Sequence, residues 1–380
     1  MGYTNEQRGQ VCVEMRIPQR EKEKIMLKLI HCADVHLGSK MESKLPKIKA
    51  DERRGEVRKT FHRMVEYAKN EGVRAILLSG DIFDSDRPLK RDKEFFYDVV
   101  RGNPEIDFLY LRGNHDGKES YTEEGLDNLK TFSCEWSGYE YGNVYVCGLE
   151  LARENATSLY STLKLDKSKI NVVMLHGQTA PTVGVDKINP AKLADKYIDY
   201  LALGHIHSYS ENKLDDRGRY AFSGCLEGRG FDEIGEKGFV LLEIDEKVKS
   251  TFIPFSQRKI EEIEVNVSDA QNGYGAYQAV KAQVKFNAAD LYRIHLIGDI
   301  SYESETLAED VERLLANDCY FVSVKNRTLK KIDPTEYEGD LSLRGEFVRA
   351  VLANPDLTEE KKRQVITLGL KALSGQEVDA

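Results

Sequence analysis

Proline is scarce, at 9 of 380 residues, and tryptophan occurs once. No Pro-, Ser- or Gln-rich tract and no internal repeat interrupts the chain, which argues against low-complexity or solenoid architecture. No run approaches the roughly 18 uninterrupted apolar residues of a membrane span, and no signal-peptide core lies near the start. The expectation is a cytoplasmic protein without membrane contact. The six cysteines (Cys12, Cys32, Cys134, Cys147, Cys225 and Cys319) are scattered and form no C-x-x-C pair. That excludes a disulfide framework and a thiolate zinc site as the default. Positive charge is also short: 55 Lys and Arg stand against 64 Asp and Glu, for a net charge of −9. A surface coated in phosphate-binding charge is therefore ruled out, although a local basic patch or a bound cation reverses the sign where it matters.

What is present is ordinary globular material, 41% hydrophobic and 31% charged, long enough for two domains and a tail. Residues 1–25 lack a sustained period and read as a non-native or disordered extension. Met26 is the expected natural start, on the hypothesis that Lys22-Glu23 is read from AAGGAG, a ribosome-binding sequence two codons upstream. From Leu27 onward, short apolar runs ending in Gly or polar residues read as buried strands: 74–80, 107–113, 143–148, 170–177 and 198–205. Between them Val57, Phe61, Met64, Val65 and Ala68 recur at helical spacing. The expected fold class is α/β, a layered β-sandwich flanked by helices over 26–258. A small α+β cap over 259–331 follows, then a linker and C-terminal helices over 332–380.

The polar residues at the strand ends carry the chemistry. The first strand ends in Asp34-Val35-His36, the next in Gly80-Asp81 and the third in Gly113-Asn114-His115-Asp116. Two later strands end in His176-Gly177 and in Gly204-His205-Ile206-His207. Strand residues i and i+2 point the same way, neighbouring strands lie under about 5 Å apart, and ligands of open α/β sheets bind beyond the strands' carboxyl ends. Each motif alone is compatible with an exposed turn. All five in order, each closing an apolar run, point to a metal centre. Imidazoles, carboxylates and one amide oxygen suit manganese, iron or zinc, and seven such groups are too many for one ion and about right for two.

This series resembles that of the calcineurin-like metallophosphoesterases, from Leu27 to about Phe255. Within that family, "CADVHLGS", "GDIFDSDRP" and the order nuclease domain, cap and helical tail look most like SbcD-type DNA repair exonucleases, the YhaO-type ones in particular. The resemblance implies one cation held by Asp34, His36, Asp81 and His207 and another by Asp81, Asn114, His176 and His205, with Asp81 shared. It implies that His115 faces the scissile phosphate and that Asp116 holds its ring. The implied cofactor is a pair of divalent ions, manganese first, with magnesium, iron or zinc as alternatives. In archaeal and eukaryotic members a histidine stands three residues after the shared aspartate. Here, as in SbcD-type proteins, that position is an aspartate, Asp84, whose role is open.

The implied activity is a DNA exonuclease and endonuclease working in double-strand-break repair with an SMC-like ATPase of the SbcC type, as a homodimer through the nuclease domain. Lys40, Lys44, Lys47, Lys49, Arg53 and Arg54 follow the first metal motif and Arg87 follows the second, so they are candidate DNA contacts; a solvated charged face is the alternative. Apolar stripes in the tail, Leu343, Phe347, Val348 and Val351 on one helix and Val365, Ile366, Leu368, Leu370 and Leu373 on the next, cover either the chain's own domain or the ATPase. Two rival functions remain, a small-molecule phosphodiesterase or phosphatase and a non-catalytic scaffold. A short chain without cap or tail would mark the first, and a lost ligand the second.

Overall fold

The computed structural model describes residues 26–41, 45–117, 125–302, 306–331 and 333–374. The expected extension 1–25 lies outside the described residues. Two six-stranded sheets are stacked face to face. The first is built from β1 (Leu27–Cys32), β2 (Ala75–Ser79), β3 (Asp107–Leu111) and β4 (Leu129–Thr131), mutually parallel, and from β13 (Gly238–Ile244) and β14 (Val248–Pro254), which add antiparallel on the β1 side. The second contains β5 (Ser137–Tyr141), β6 (Val144–Gly148), β7 (Ile170–His176), β10 (Tyr200–Gly204), β11 (Ser210–Lys213) and β12 (Arg219–Phe222), in the order β11-β12-β10-β7-β6-β5. Short β8 (Gln178–Thr179) and β9 (Lys187–Ile188) pair with each other in the loop between β7 and β10.

Strand alternation builds three apolar layers. Leu29, Ala75, Leu77, Leu109, Val146, Val172, Met174 and Ala202 meet between the sheets. Their neighbours Ile30, Cys32, Ile76 and Leu78 face outward, onto α1 (Lys47–Asn70) and α2 (Lys90–Arg101), where Val57, Phe61, Met64 and Phe96 are buried. On the far side Val173, Leu175, Leu201 and Leu203 pack under α3 (Leu159–Thr162). The sandwich flanked by helices is thus the expected fold. Strands β1, β2 and β3 end before their polar motifs, which are loops, whereas β7 runs through His176 and β10 through Gly204. No helix among the described residues is long and apolar enough to cross a membrane.

Residues 260–330 form a separate three-stranded parallel sheet of β15 (Ile260–Asn266), β16 (Leu291–Ile297) and β18 (Phe321–Asn326), crossed over by α4 (Gly273–Gln283) and α5 (Leu307–Leu315). A ribbon of β17 (Asp299–Ile300) and β19 (Leu329–Lys330) extends it. Polar groups tie this unit to α1. The Tyr320 ring lies between the Arg258 guanidinium (3.5 Å) and Lys49 Nζ (4.0 Å), and Arg258 pairs with Glu56 at 2.7 Å.

The tail consists of α6 (Thr335–Glu338), α7 (Leu343–Leu352) and α8 (Glu359–Leu373). Val348, Val351, Ile366 and Leu370 bury against one another and Tyr337, and the Phe347 ring sits where Gly369 leaves room for it. Arg363 pairs with Asp299 at 2.6 Å, fastening α8 to the small sheet. Leu341 and Leu343 stay largely exposed.

Candidate metal centre

The loops after β1 and β2 run side by side beyond their strands. The backbone N–H groups of Asp34, His36 and Leu37 donate to the carbonyls of Gly80, Asp81 and Ile82 at 2.8–3.0 Å. Asp34, His36, Asp81 and His205 take positive φ angles of 52°, 51°, 53° and 97°. Such backbone costs on the order of 1–3 kcal/mol per residue and persists where surrounding structure demands it. Glycine makes the crowding feasible. A Cβ on Gly80, itself at φ +96°, would lie 2.1 Å from His176 Nδ1, and one on Gly204 would lie 2.1 Å from the Ser79 carbonyl oxygen. The glycines of the G-D and G-H-x-H motifs therefore let the ends of β2, β7 and β10 close on one another.

All seven metal candidates come together. His36 Nε2 and His207 Nε2 face each other at 3.2 Å, and His207 Nε2 lies 3.9 Å from Asp34. His176 Nε2 is 3.0 Å from Asn114 Oδ1 and 3.4 Å from Asp81 Oδ2, and His205 Nδ1 is 3.0 Å from the same Asn114 oxygen. The Asp34 carboxylate accepts the His205 N–H at 3.0 Å. Donor atoms of Asp34, His36 and His207 lie within 4.8 Å of one another, as do those of Asp34, Asp81 and His176. Asp34 is thus common to both groups, whereas the resemblance makes Asp81 the shared carboxylate.

The donor set fits divalent cations. Facing nitrogens 3.2 Å apart have about the spacing of two imidazoles on one ion with bonds of roughly 2.1 Å. Without a cation the buried charges perturb one another. Burial, with the Asp81 charge added, pushes the Asp34 carboxyl up to about 7, and burial pulls His36 down to about 4. Burial opposes charge on His176 too, but the Asp81 and Asp34 carboxylates win and push it up to about 9. The same partnership, against burial, holds Asp81 well below the usual carboxylate range. One dense knot of acids and imidazoles is what a cation would relieve.

Other candidates fall differently. His115 is exposed, its ring 5.2 Å from that of His36 and its backbone N–H donating to Asp81 at 2.8 Å. Asp116 corrects the expectation that it holds the His115 ring. Its carboxylate accepts the backbone N–H groups of Phe83 (2.9 Å), Gly113 (3.0 Å) and Ile82 (3.3 Å), so it fastens the third motif to the second. Burial pushes its carboxyl up to about 6. Arg53 is the second correction. It is fully buried against Glu56 (2.5 Å), Glu227 (3.4 Å) and the Gly228 carbonyl, and has no surface to offer DNA. Lys49 is occupied by Tyr320, and Arg54 by Asp51 and the Lys40 carbonyl. Lys40, Lys47 and Arg87 are exposed, and Lys44 lies outside the described residues.

Asp84 has partners that the sequence did not announce. It lies 3.1 Å from His36 Nδ1 and accepts from Arg229 at 2.8 Å, while Glu233 lies 2.7 Å from His207 Nδ1. Arg229 and Glu233 sit in the loop between β12 and β13, where no strand end or periodicity marks them.

The ends of β1, β2, β3, β7 and β10, with imidazoles and carboxylates converging on one point, form a candidate divalent-metal centre. Residues 27–209 match the calcineurin-like phosphoesterase family, and the chain carries a calcineurin-like metallophosphoesterase domain. It is 22% identical over 373 residues to the DNA double-strand break repair protein Mre11 of Sulfolobus acidocaldarius, covering 90% of this chain and 94% of that one. It is 27% identical over 277 residues to the uncharacterized metallophosphoesterase YhaO of Bacillus subtilis, 67% of either chain. The match to the SbcD component of nuclease SbcCD from Staphylococcus saprophyticus is 24% over 289 residues, 64% of this chain and 73% of that one.

Proposed function

We propose that this protein is a DNA nuclease that hydrolyses phosphodiester bonds with two divalent cations, manganese first, and works on DNA ends together with an SMC-like ATPase. The observation that carries the reading is the convergence of all seven donors, with His115 exposed beside them. Relatives named for DNA double-strand break repair and for a subunit of nuclease SbcCD support DNA as the substrate, and the ATPase partner rests on the resemblance to SbcD-type proteins.

Asp34, His36, Asp81 and His207 would hold one cation, and Asp81, Asn114, His176 and His205 the other. When bound, two such ions neutralise the phosphodiester and make hydroxide available near neutral pH. His115, unencumbered by Asp116, reaches toward the substrate side and donates to the departing sugar oxygen. Asp116 keeps the His115 loop against the Asp81 loop through its backbone bonds. Lys40, Lys47 and Arg87, exposed beside the first two motifs, position the phosphate backbone without reading sequence.

The test is degradation of linear duplex DNA by the purified chain with manganese, compared with a chromogenic bis(aryl) phosphodiester. Cleavage of DNA that EDTA abolishes supports the reading. Turnover of the chromogenic ester with intact DNA would favour a small-molecule phosphodiesterase instead.

A further inference from the structure

The imidazoles around the centre are backed unequally. Behind His207, Glu233 Oε1 lies 2.7 Å from Nδ1, with Glu233 itself buried. Arg229 NH2 is also near that nitrogen, at 3.1 Å. A guanidinium only donates and a carboxylate only accepts, so the shorter contact decides: Nδ1 carries the proton and gives it to Glu233, leaving Nε2 for a cation. Behind His36, Asp84 Oδ1 lies 3.1 Å from Nδ1, a close contact rather than a well-aligned hydrogen bond. Arg229 spans the two carboxylates, donating to Asp84 at 2.8 Å through NH1 and to Glu233 at 2.9 and 2.6 Å through Nε and NH2. Its own N–H donates to Glu233 at 2.7 Å, and buried Lys237 holds the His207 carbonyl at 2.7 Å. On the opposite side of the cluster, His176 Nδ1 faces only the neutral Ser79 carbonyl, at 2.9 Å.

A carboxylate behind a ligating imidazole fixes its tautomer and strengthens its free nitrogen as a donor more than a neutral carbonyl does. We propose that Asp84, Arg229 and Glu233 form a positioning belt for one cation only. Glu233 sets His207, Asp84 sets His36, and Arg229 locks the two carboxylates in register. The cation between Asp34, His36 and His207 is then held more tightly than the one beside His176. This assigns Asp84 a role that needs no contact with the phosphate, and it rests on the two-cation reading above.

Calorimetric titration of the full chain with Mn2+ alone tests it, apart from any activity. The wild type is expected to show two sites of unequal affinity. In a His176→Ala background, where the belted site remains, adding Glu233→Gln is expected to weaken Mn2+ binding about tenfold or more. In a His36→Ala background, where the other site remains, Glu233→Gln is expected to change nothing. Asp84→Asn, at a partly exposed position, repeats the comparison if Glu233→Gln does not fold. Equal weakening in both backgrounds, or none in the His176→Ala background, overturns the belt. A wild type that binds fewer than two Mn2+ overturns the two-cation reading instead. The ring 15N shifts of metal-free His207 give a second readout: a proton on Nδ1 is expected, and one on Nε2 overturns the assignment.

Discussion

Replacing Arg53 by alanine separates an architectural arginine from a DNA contact. Arg53 lies on α1 in the same stripe as Val57 and Phe61 and is fully buried. It bonds Glu56 at 2.5 Å, Glu227 at 3.4 Å and the Gly228 carbonyl. Thr60 and the Gln257 N–H complete Glu227, and Arg258 completes Glu56, so the cluster links α1 to the chain leading into the small sheet. Arg53→Ala leaves Glu227 buried without a cation. Breaking a buried pair from one side costs about 3–5 kcal/mol, and that loss is expected in urea unfolding at pH 8.

The pH dependence has a defined sign. Burial already raises the Glu227 carboxyl above its ordinary value, and losing Arg53 raises it further. A group whose folded-state value is raised contributes stability at low pH and loses it as pH climbs through that value. The penalty of Arg53→Ala is therefore expected to shrink from pH 8 to pH 5.5. Arg87→Ala is the counterpart at an exposed position: unfolding is expected to stay as in the wild type, while DNA affinity falls and the slope of log K against log salt drops by about one. An Arg53→Ala protein of wild-type stability that has lost DNA affinity would refute the buried assignment.

Three further outcomes are expected. His115→Ala abolishes cleavage while mass spectrometry still finds two metals; loss of metal would make His115 a ligand. Asp81→Asn weakens both cations in a Mn2+ titration, whereas Asp34→Asn mainly weakens one, and the reverse order would move the shared carboxylate to Asp34, the residue common to both donor groups. Gly204→Ala drives a Cβ to 2.1 Å from the Ser79 carbonyl oxygen, so it is expected to lower Mn2+ affinity at least tenfold; unchanged affinity would show that the β10 end can retreat without moving His205.

The sandwich and its cluster of candidate metal ligands are legible in the sequence because buried parallel strands read as apolar runs, and five of these runs stop at a polar motif. What escapes lies where sequence neighbourhood and spatial neighbourhood part. Asp116 follows His115 directly, yet its carboxylate turns back to the N–H groups of Ile82, Phe83 and Gly113. Arg53 stands in a basic run, although its phase, four residues before Val57 and eight before Phe61, places it on the buried stripe of α1. Strands β4 and β5 are three and five residues long, partly exposed and rich in Lys, Tyr and Gly, so no apolar run announces them. Arg229 and Glu233 reach the centre only because β13 returns to pair with β1, a long-range contact without local signature.

That topology also predicts how the centre bears on stability. Asp34, His36, Asp81 and Asn114 extend from β1, β2 and β3 of one sheet, and His176, His205 and His207 from β7 and β10 of the other. Cations shared by these donors would cross-link the two sheets and offset the strained backbone beneath them. Ligand that binds only the folded chain adds about 2.7 kcal/mol at a hundredfold excess over its dissociation constant. The thermal midpoint is therefore expected to climb with Mn2+ concentration and fall back in EDTA. Asp34→Asn should reverse sign between the two conditions. With Mn2+ it removes a ligand and lowers the midpoint. In EDTA it removes a buried negative charge, while the Asn oxygen still accepts the His205 N–H, so the midpoint is at least that of the wild type. A variant equally destabilised in both conditions would show that Asp34 holds the sheets together through its hydrogen bonds, with no cation involved.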